Sequence, residues 1–222
     1  MKDLESLSKE IRGCQRCKGI SAKVLGQSKS YFDAFCGLHK EIPFDYLEPD
    51  RRPISTLFVA ESPPEKGAGY FYDASTTNTK FRDTLFSLLN EANKGPIDAK
   101  APAERLKQFN QLGYYLVDAV NCCWNKSEIS QLRVDVLKNC AGYLARTIQL
   151  MEPSNIVLIG SVAKSITTTP LGHTLPDHWT GLKNISSIPE FVKANVIELD
   201  FPMYPSTKLT RAERVERLRA IK

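Results

Sequence analysis

Residues 140–160 read CAGYLARTIQLMEPSNIVLIG. The pattern predicts a helix that ends near residue 151, followed by a short strand, NIVLIG at 155–160, that a glycine closes. A strand that is apolar at nearly every position has both faces buried. Such strands are typical of parallel sheets that helices cover on both sides. The segment therefore indicates an α/β fold.

The same alternation of helix and strand extends outward from this segment in both directions. The predicted strands are 54–60, 114–120, 155–160 and 195–199, and the predicted helices are 3–13, 79–93, 102–112, 130–151, one that opens with SVAKSI at 161–166, and 210–221. This order predicts a three-layer α/β sandwich around a mostly parallel central sheet. We expect a single domain over 1–222, with a loop-rich lobe at about 14–52 that is a candidate for metal binding.

Ligands of such sheets bind beyond the carboxyl ends of the strands. That rule selects four segments before any family is considered. They are ESPPEKGAGYFYD (61–73), DAVNCCW (118–124), GSVAKS (160–165) and FPMYPSTKLT (201–210).

Composition narrows the class of protein only slightly. A formal net charge of +5 permits a polyanionic partner, although many enzymes of small metabolites carry a similar charge. The first residues, MKDLESLSKEIRGC, are charged rather than apolar, and no apolar run approaches the roughly 20 residues that span a bilayer. We therefore expect an intracellular protein. In that reducing setting, the six cysteines favour metal ligation or simple burial over disulfides.

Three further motifs, read together with 140–160, carry a family resemblance. They are AESPP (60–64), VDAVNC (117–122) and YPSTKL (204–209). With them the chain resembles the uracil-DNA glycosylase superfamily, and within it the iron–sulfur branch, family four. The resemblance covers most of the chain outside 19–52. It implies a uracil-DNA-glycosylase-like fold and DNA as the partner. The sequence leaves the oligomeric state open, and a monomer is the simplest expectation.

The resemblance also implies roles for individual residues. Glu61 and Asp118 take the catalytic positions, and either Phe71 or Tyr72 stacks on the extruded base. The residues expected to bind DNA, with Leu209 inserted into the duplex, are Ser62, Tyr204, Pro205, Ser206, Lys208, Leu209 and Arg211. The alternative to these functional roles is that the two aromatics belong to the core and that the basic residues begin a solvated helix.

Two of these positions depart from the family pattern. Asp118 stands where the family has an asparagine, and Tyr204 stands where it has the histidine of His-Pro-Ser. An asparagine amide both donates to and accepts from a uracil edge, whereas an ionised aspartate only accepts. The loss of the histidine removes a donor aimed at the departing base, although a tyrosine hydroxyl can also donate. The identity of the excised base is therefore open.

Two alternative metal sites are possible, and both would use Cys14 and Cys17. The resemblance implies a [4Fe–4S] cluster on Cys14, Cys17, Cys122 and Cys140, with Cys123 as an alternative to Cys122. The alternative is a zinc site, because Cys14-x2-Cys17 followed by Cys36-x2-His39 has the spacing of a structural zinc ligand set.

Three functions fit these observations. The first is a monofunctional DNA repair glycosylase of the base excision class, a hydrolase of the N-glycosidic bond of a deaminated base such as uracil. The second is a non-catalytic nucleic-acid-binding module that keeps the glycosylase fold. The third is a small-molecule enzyme on the same scaffold, since a fold does not fix a function.

Overall fold

A computed structural model of the protein describes residues 2–12, 14, 54–62, 71–72, 74, 79–121, 133–171, 182–200 and 209–222. In chain order the elements are α1 (Lys2–Arg12), β1 (Thr56–Ala60), α2 (Lys80–Glu91), α3 (Pro102–Gln111), β2 (Tyr114–Asp118), α4 (Arg133–Met151), β3 (Asn155–Ile159), α5 (Gly160–Thr168), a 3₁₀ helix (Ile185–Ser187), α6 (Pro189–Lys193), β4 (Asn195–Leu199) and α7 (Arg211–Arg219). Each predicted helix and strand is present, with ends that shift by a few residues. The 3₁₀ helix and α6 were not predicted, because neither is long enough to show a periodic pattern.

The four described strands form one parallel sheet in the order β2-β1-β3-β4. Every residue of the two central strands, β1 and β3, is buried, so layers of structure cover both faces of the sheet. The α/β class and the parallel sheet are thus confirmed. The arrangement is compatible with a three-layer sandwich.

The helices pack in groups around this sheet. Helix α4 contacts α1, α5 and α6, while α2 contacts α7. On α1, Leu7 and Ile11 lie four residues apart and are both buried in the core, as the amphipathic pattern predicts. Arg146 of α4 donates to Glu10 of α1 through Nη1 at 2.5 Å and Nη2 at 3.0 Å. Among the described residues, no helix has the length and apolar character that crossing a membrane requires.

An asparagine network fastens the carboxyl end of the chain to the amino ends of β3 and β4. The side chain of Asn195 donates to the carbonyl of Ala220 at 2.8 Å and to Asn155 Oδ1 at 3.1 Å. The same Asn155 oxygen accepts the backbone N–H of Lys222 at 3.1 Å. Helix α7 therefore ends at the amino edge of the sheet, and it begins at the carboxyl edge, where β4 ends.

Candidate active site

Glu61 and Asp118 lie at the carboxyl edge of the sheet, at the ends of neighbouring strands. In the parallel pairing of β1 with β2, Ala60 stands opposite Asp118. Backbone pairing continues past the strands, because Ala119 N–H donates to the Ala60 carbonyl at 2.9 Å and Val120 N–H donates to the Glu61 carbonyl at 3.0 Å. The backbone around both carboxyl groups is therefore fixed.

The two carboxyl groups also interact electrostatically. Glu61 is 7% exposed, and the side chain of Asp118 is partly buried. Burial, followed by the negative charge of Glu61, raises the pKa of Asp118 from 3.8 to about 7. Asp118 is therefore a mixture of neutral acid and carboxylate near neutral pH. In its neutral form it offers one O–H donor and one carbonyl acceptor.

Phe71 and Tyr72, the predicted stacking residues, lie in the core beside β2. The Phe71 ring packs edge-on against Tyr72, Phe86 and Phe109, with centroids 4.9, 5.8 and 5.4 Å apart. The carbonyl of Phe71 accepts from Nη1 of the buried Arg82 at 3.1 Å. These are the contacts of core aromatics. That either ring stacks on a base stays a prediction.

The hydroxyl of Tyr72 has a defined structural partner. It accepts the backbone N–H of Leu116 at 2.8 Å and donates to the carbonyl of the same residue at 3.0 Å. Both groups belong to β2, two residues before Asp118, so Tyr72 fixes the strand that delivers this carboxyl group. Sequence reasoning singled out the ring, but nothing local to the sequence identifies the partner of the hydroxyl.

The residues predicted to bind DNA are only partly within the described chain. Ser62 and Leu209 are described and partly buried. Arg211 is exposed at the first position of α7, where it forms an ion pair with Glu91 and donates to Ser87 Oγ at 2.8 Å. Arg211 is thus held against α2 in this structure. Four predicted residues lie outside the described residues: Tyr204, Pro205, Ser206 and Lys208.

One arginine that sequence reasoning did not select is buried in α7. Arg214, one turn into α7, is 8% exposed, and its Nε and Nη2 have no hydrogen-bond partner among the described residues. In the sequence RAERVERLR it is one of four arginines, and nothing in the pattern marks it as the buried one.

Of the predicted metal ligands, Cys14 and Cys140 are described. Cys140 is buried, and Cys14 is partly buried against the core. Helix α1, which leads to Cys14, packs on α4, which carries Cys140, as a ligand set shared by these two cysteines requires. Within the described ranges, no three His, Cys, Asp or Glu side chains are gathered as a metal site. The remaining predicted ligands lie outside those ranges: Cys17, Cys36, His39, Cys122 and Cys123.

Comparison with known proteins adds no assignment. No family model matches the chain, and no curated protein matches it.

Proposed function

We propose that the protein is a monofunctional DNA glycosylase with a uracil-DNA-glycosylase-like three-layer fold, which hydrolyses the N-glycosidic bond of a deaminated base. The observation that carries the proposal is the pair Glu61 and Asp118 at the carboxyl ends of adjacent parallel strands. Because all four described strands are parallel, each of the four segments selected from the sequence starts at or follows the end of a strand, and these strand ends lie at one edge of the sheet.

The carboxyl pair suits the cleavage of a glycosidic bond. Departure of a base from deoxyribose develops positive charge on the sugar and negative charge on the base. A negatively charged Glu61 stabilises the sugar cation and orients the attacking water. Asp118 in its neutral form contacts the base and donates a proton or a hydrogen bond as negative charge develops there. Two carboxyl groups with different ionisation states thereby take two different roles.

The raised pKa of Asp118 bears on which base is recognised. A neutral aspartic acid donates and accepts, as the amide of an asparagine does, so it can pair with a uracil edge. Its ionised form only accepts, so it favours a base that presents N–H groups. We therefore expect the recognition of uracil to weaken as the pH rises through about 7.

A metal centre would connect the amino-terminal helix to the rest of the fold. Cys14, Cys17, Cys122 and Cys140 would hold a [4Fe–4S] cluster, whereas Cys14, Cys17, Cys36 and His39 would hold zinc. The packing of α1 on α4 supports the cluster, since that set needs ligands from both parts of the chain. Such a centre supplies structural cross-linking, and no step of base release passes through it.

The test is base release from oligonucleotides that carry uracil, hypoxanthine or xanthine, read as strand cleavage by alkali at the abasic site. Metal-replete wild type is compared with Asp118→Ala and Glu61→Ala. Glu216→Gln is the matched control, because this exposed acid pairs with Arg219 on α7 and is not part of the carboxyl pair. Release from one lesion that both site variants lose and the control keeps supports the proposal.

Two other results contradict it. Salt-dependent DNA binding without release from any lesion identifies the non-catalytic module. The absence of both release and DNA affinity favours an enzyme of small molecules.

A further inference from the structure

Arg214 is a buried cation, and two of its guanidinium nitrogens lack a hydrogen-bond acceptor in the described fold. The residue is 8% exposed, and its Nε and Nη2 atoms are buried without a hydrogen-bond acceptor among the described residues. A buried guanidinium without a partner is costly, and buried charges in proteins are nearly always paired. The arrangement therefore calls for an anion that is not part of the described chain.

The charged neighbours of Arg214 on α7 form hydrogen bonds or ion pairs with other groups. Glu213 accepts from the backbone N–H and the hydroxyl of Thr210 at 2.6 and 2.8 Å, which uses its carboxylate in the helix cap. Arg211 pairs with Glu91, and Arg217 donates to the carbonyl of Glu198 at 2.6 Å. The charge of Glu213 also acts on Arg214, but no acid of the described part of α7 accepts a hydrogen bond from Nε or Nη2 of Arg214.

The direction of α7 places Arg214 in the half of this helix that lies toward the carboxyl edge of the sheet. The helix begins at the carboxyl edge of the sheet and ends at the amino edge, where Asn195 holds the carbonyl of Ala220. Side chains on a helix tilt toward its amino terminus. The guanidinium of Arg214 therefore tilts toward the edge that carries Glu61 and Asp118.

The two unpartnered atoms define the shape of the missing anion. Nε and Nη2 lie on the same side of the planar guanidinium, so their N–H groups form a fork that two oxygens of one oxyanion can accept. The amino end of α7 adds a favourable dipole for negative charge. We infer that Arg214 binds a phosphate group at the carboxyl edge of the sheet. The need for an anion is independent of the proposed function, whereas the choice of a DNA phosphate rests on it.

The first experiment measures the melting temperature in inorganic phosphate against chloride at equal ionic strength. Phosphate should raise the Tm of wild type by about 3 °C at concentrations several times its Kd. Arg214→Met should not respond. In chloride this variant should be at least as stable as wild type, because it removes a buried guanidinium with two nitrogens that lack hydrogen-bond acceptors. Arg219→Met is the matched control, since Arg219 is exposed in the last turn of the same helix and pairs with Glu216.

Two results overturn the inference. One is an equal response to phosphate in wild type and Arg214→Met. The other is a marked loss of stability of Arg214→Met in chloride, which would mean that Arg214 already has a partner within the protein.

A second experiment identifies the source of the phosphate. Binding of a duplex oligonucleotide is titrated against salt for wild type, Arg214→Met and Arg219→Met. A DNA phosphate predicts that Arg214→Met binds about tenfold more weakly at low salt, with a salt slope reduced by about one. Unchanged DNA binding together with a lost phosphate response assigns the site to a free phosphate or a small phosphorylated molecule. Neither measurement requires base release, and the response to inorganic phosphate does not depend on DNA binding, so it can succeed or fail independently of the proposed function.

Discussion

Replacing Asp118 with asparagine isolates the energetic effect of the carboxyl pair. A rise of the Asp118 pKa from 3.8 to about 7 corresponds to about 4 kcal/mol at roughly 1.36 kcal/mol per pH unit. The folded protein holds this proton more tightly than the unfolded chain does. Asp118 therefore lowers the free energy of unfolding as the pH rises from about 4 to about 7, and the loss is complete above that range.

The side chain at position 118 of the Asp118→Asn variant does not titrate. The free energy of unfolding of this variant therefore does not fall from this cause over this pH range. Relative to wild type, the variant should gain about 3 kcal/mol in the free energy of unfolding between pH 5 and pH 8. Urea unfolding at several pH values measures the gain, and an unchanged m-value would show that the difference is one of stability rather than compactness. Glu61→Gln removes the second cause of the raised pKa, so this variant should reduce the pH dependence without abolishing it.

The control for this experiment is Glu216→Gln, which alters an exposed acid and should leave the pH profile of wild type unchanged. Parallel stability profiles for wild type and Asp118→Asn would refute the reasoning, because they would mean that Asp118 binds its proton equally well in the folded and unfolded chains.

Two further predictions concern the surroundings of the site. Tyr72→Phe leaves the buried N–H and carbonyl of Leu116 without their partner, and we expect a loss of about 2 kcal/mol in urea unfolding; an unchanged midpoint would contradict the anchoring role. If the metal centre is an iron–sulfur cluster, Cys140→Ala should lose bound iron while Cys36→Ala keeps it. If metal analysis of the purified variants shows that only Cys36→Ala has lost zinc, the zinc site is favoured instead.

Local patterns in the sequence determined the elements of the fold. Strands β1 and β3 are short apolar runs, and helices such as α2 repeat apolar residues at helical spacing, so both could be recognised from neighbouring residues alone. The parallel direction of the strands followed from their alternation with helices. Glu61 and Asp118 could be selected because each follows or ends such a strand, which places it at the edge where ligands bind.

Tertiary structure decided how these residues act. Only the strand order made Glu61 and Asp118 neighbours, and only their shared burial raised the pKa of Asp118. Likewise, the bond from Tyr72 to Leu116 joins residues 44 positions apart. Arg214 became distinct from the other arginines of α7 only through burial. Hydrogen-bond partners, desolvation and charge interactions depend on which distant segments meet, and spacing along the chain does not encode that.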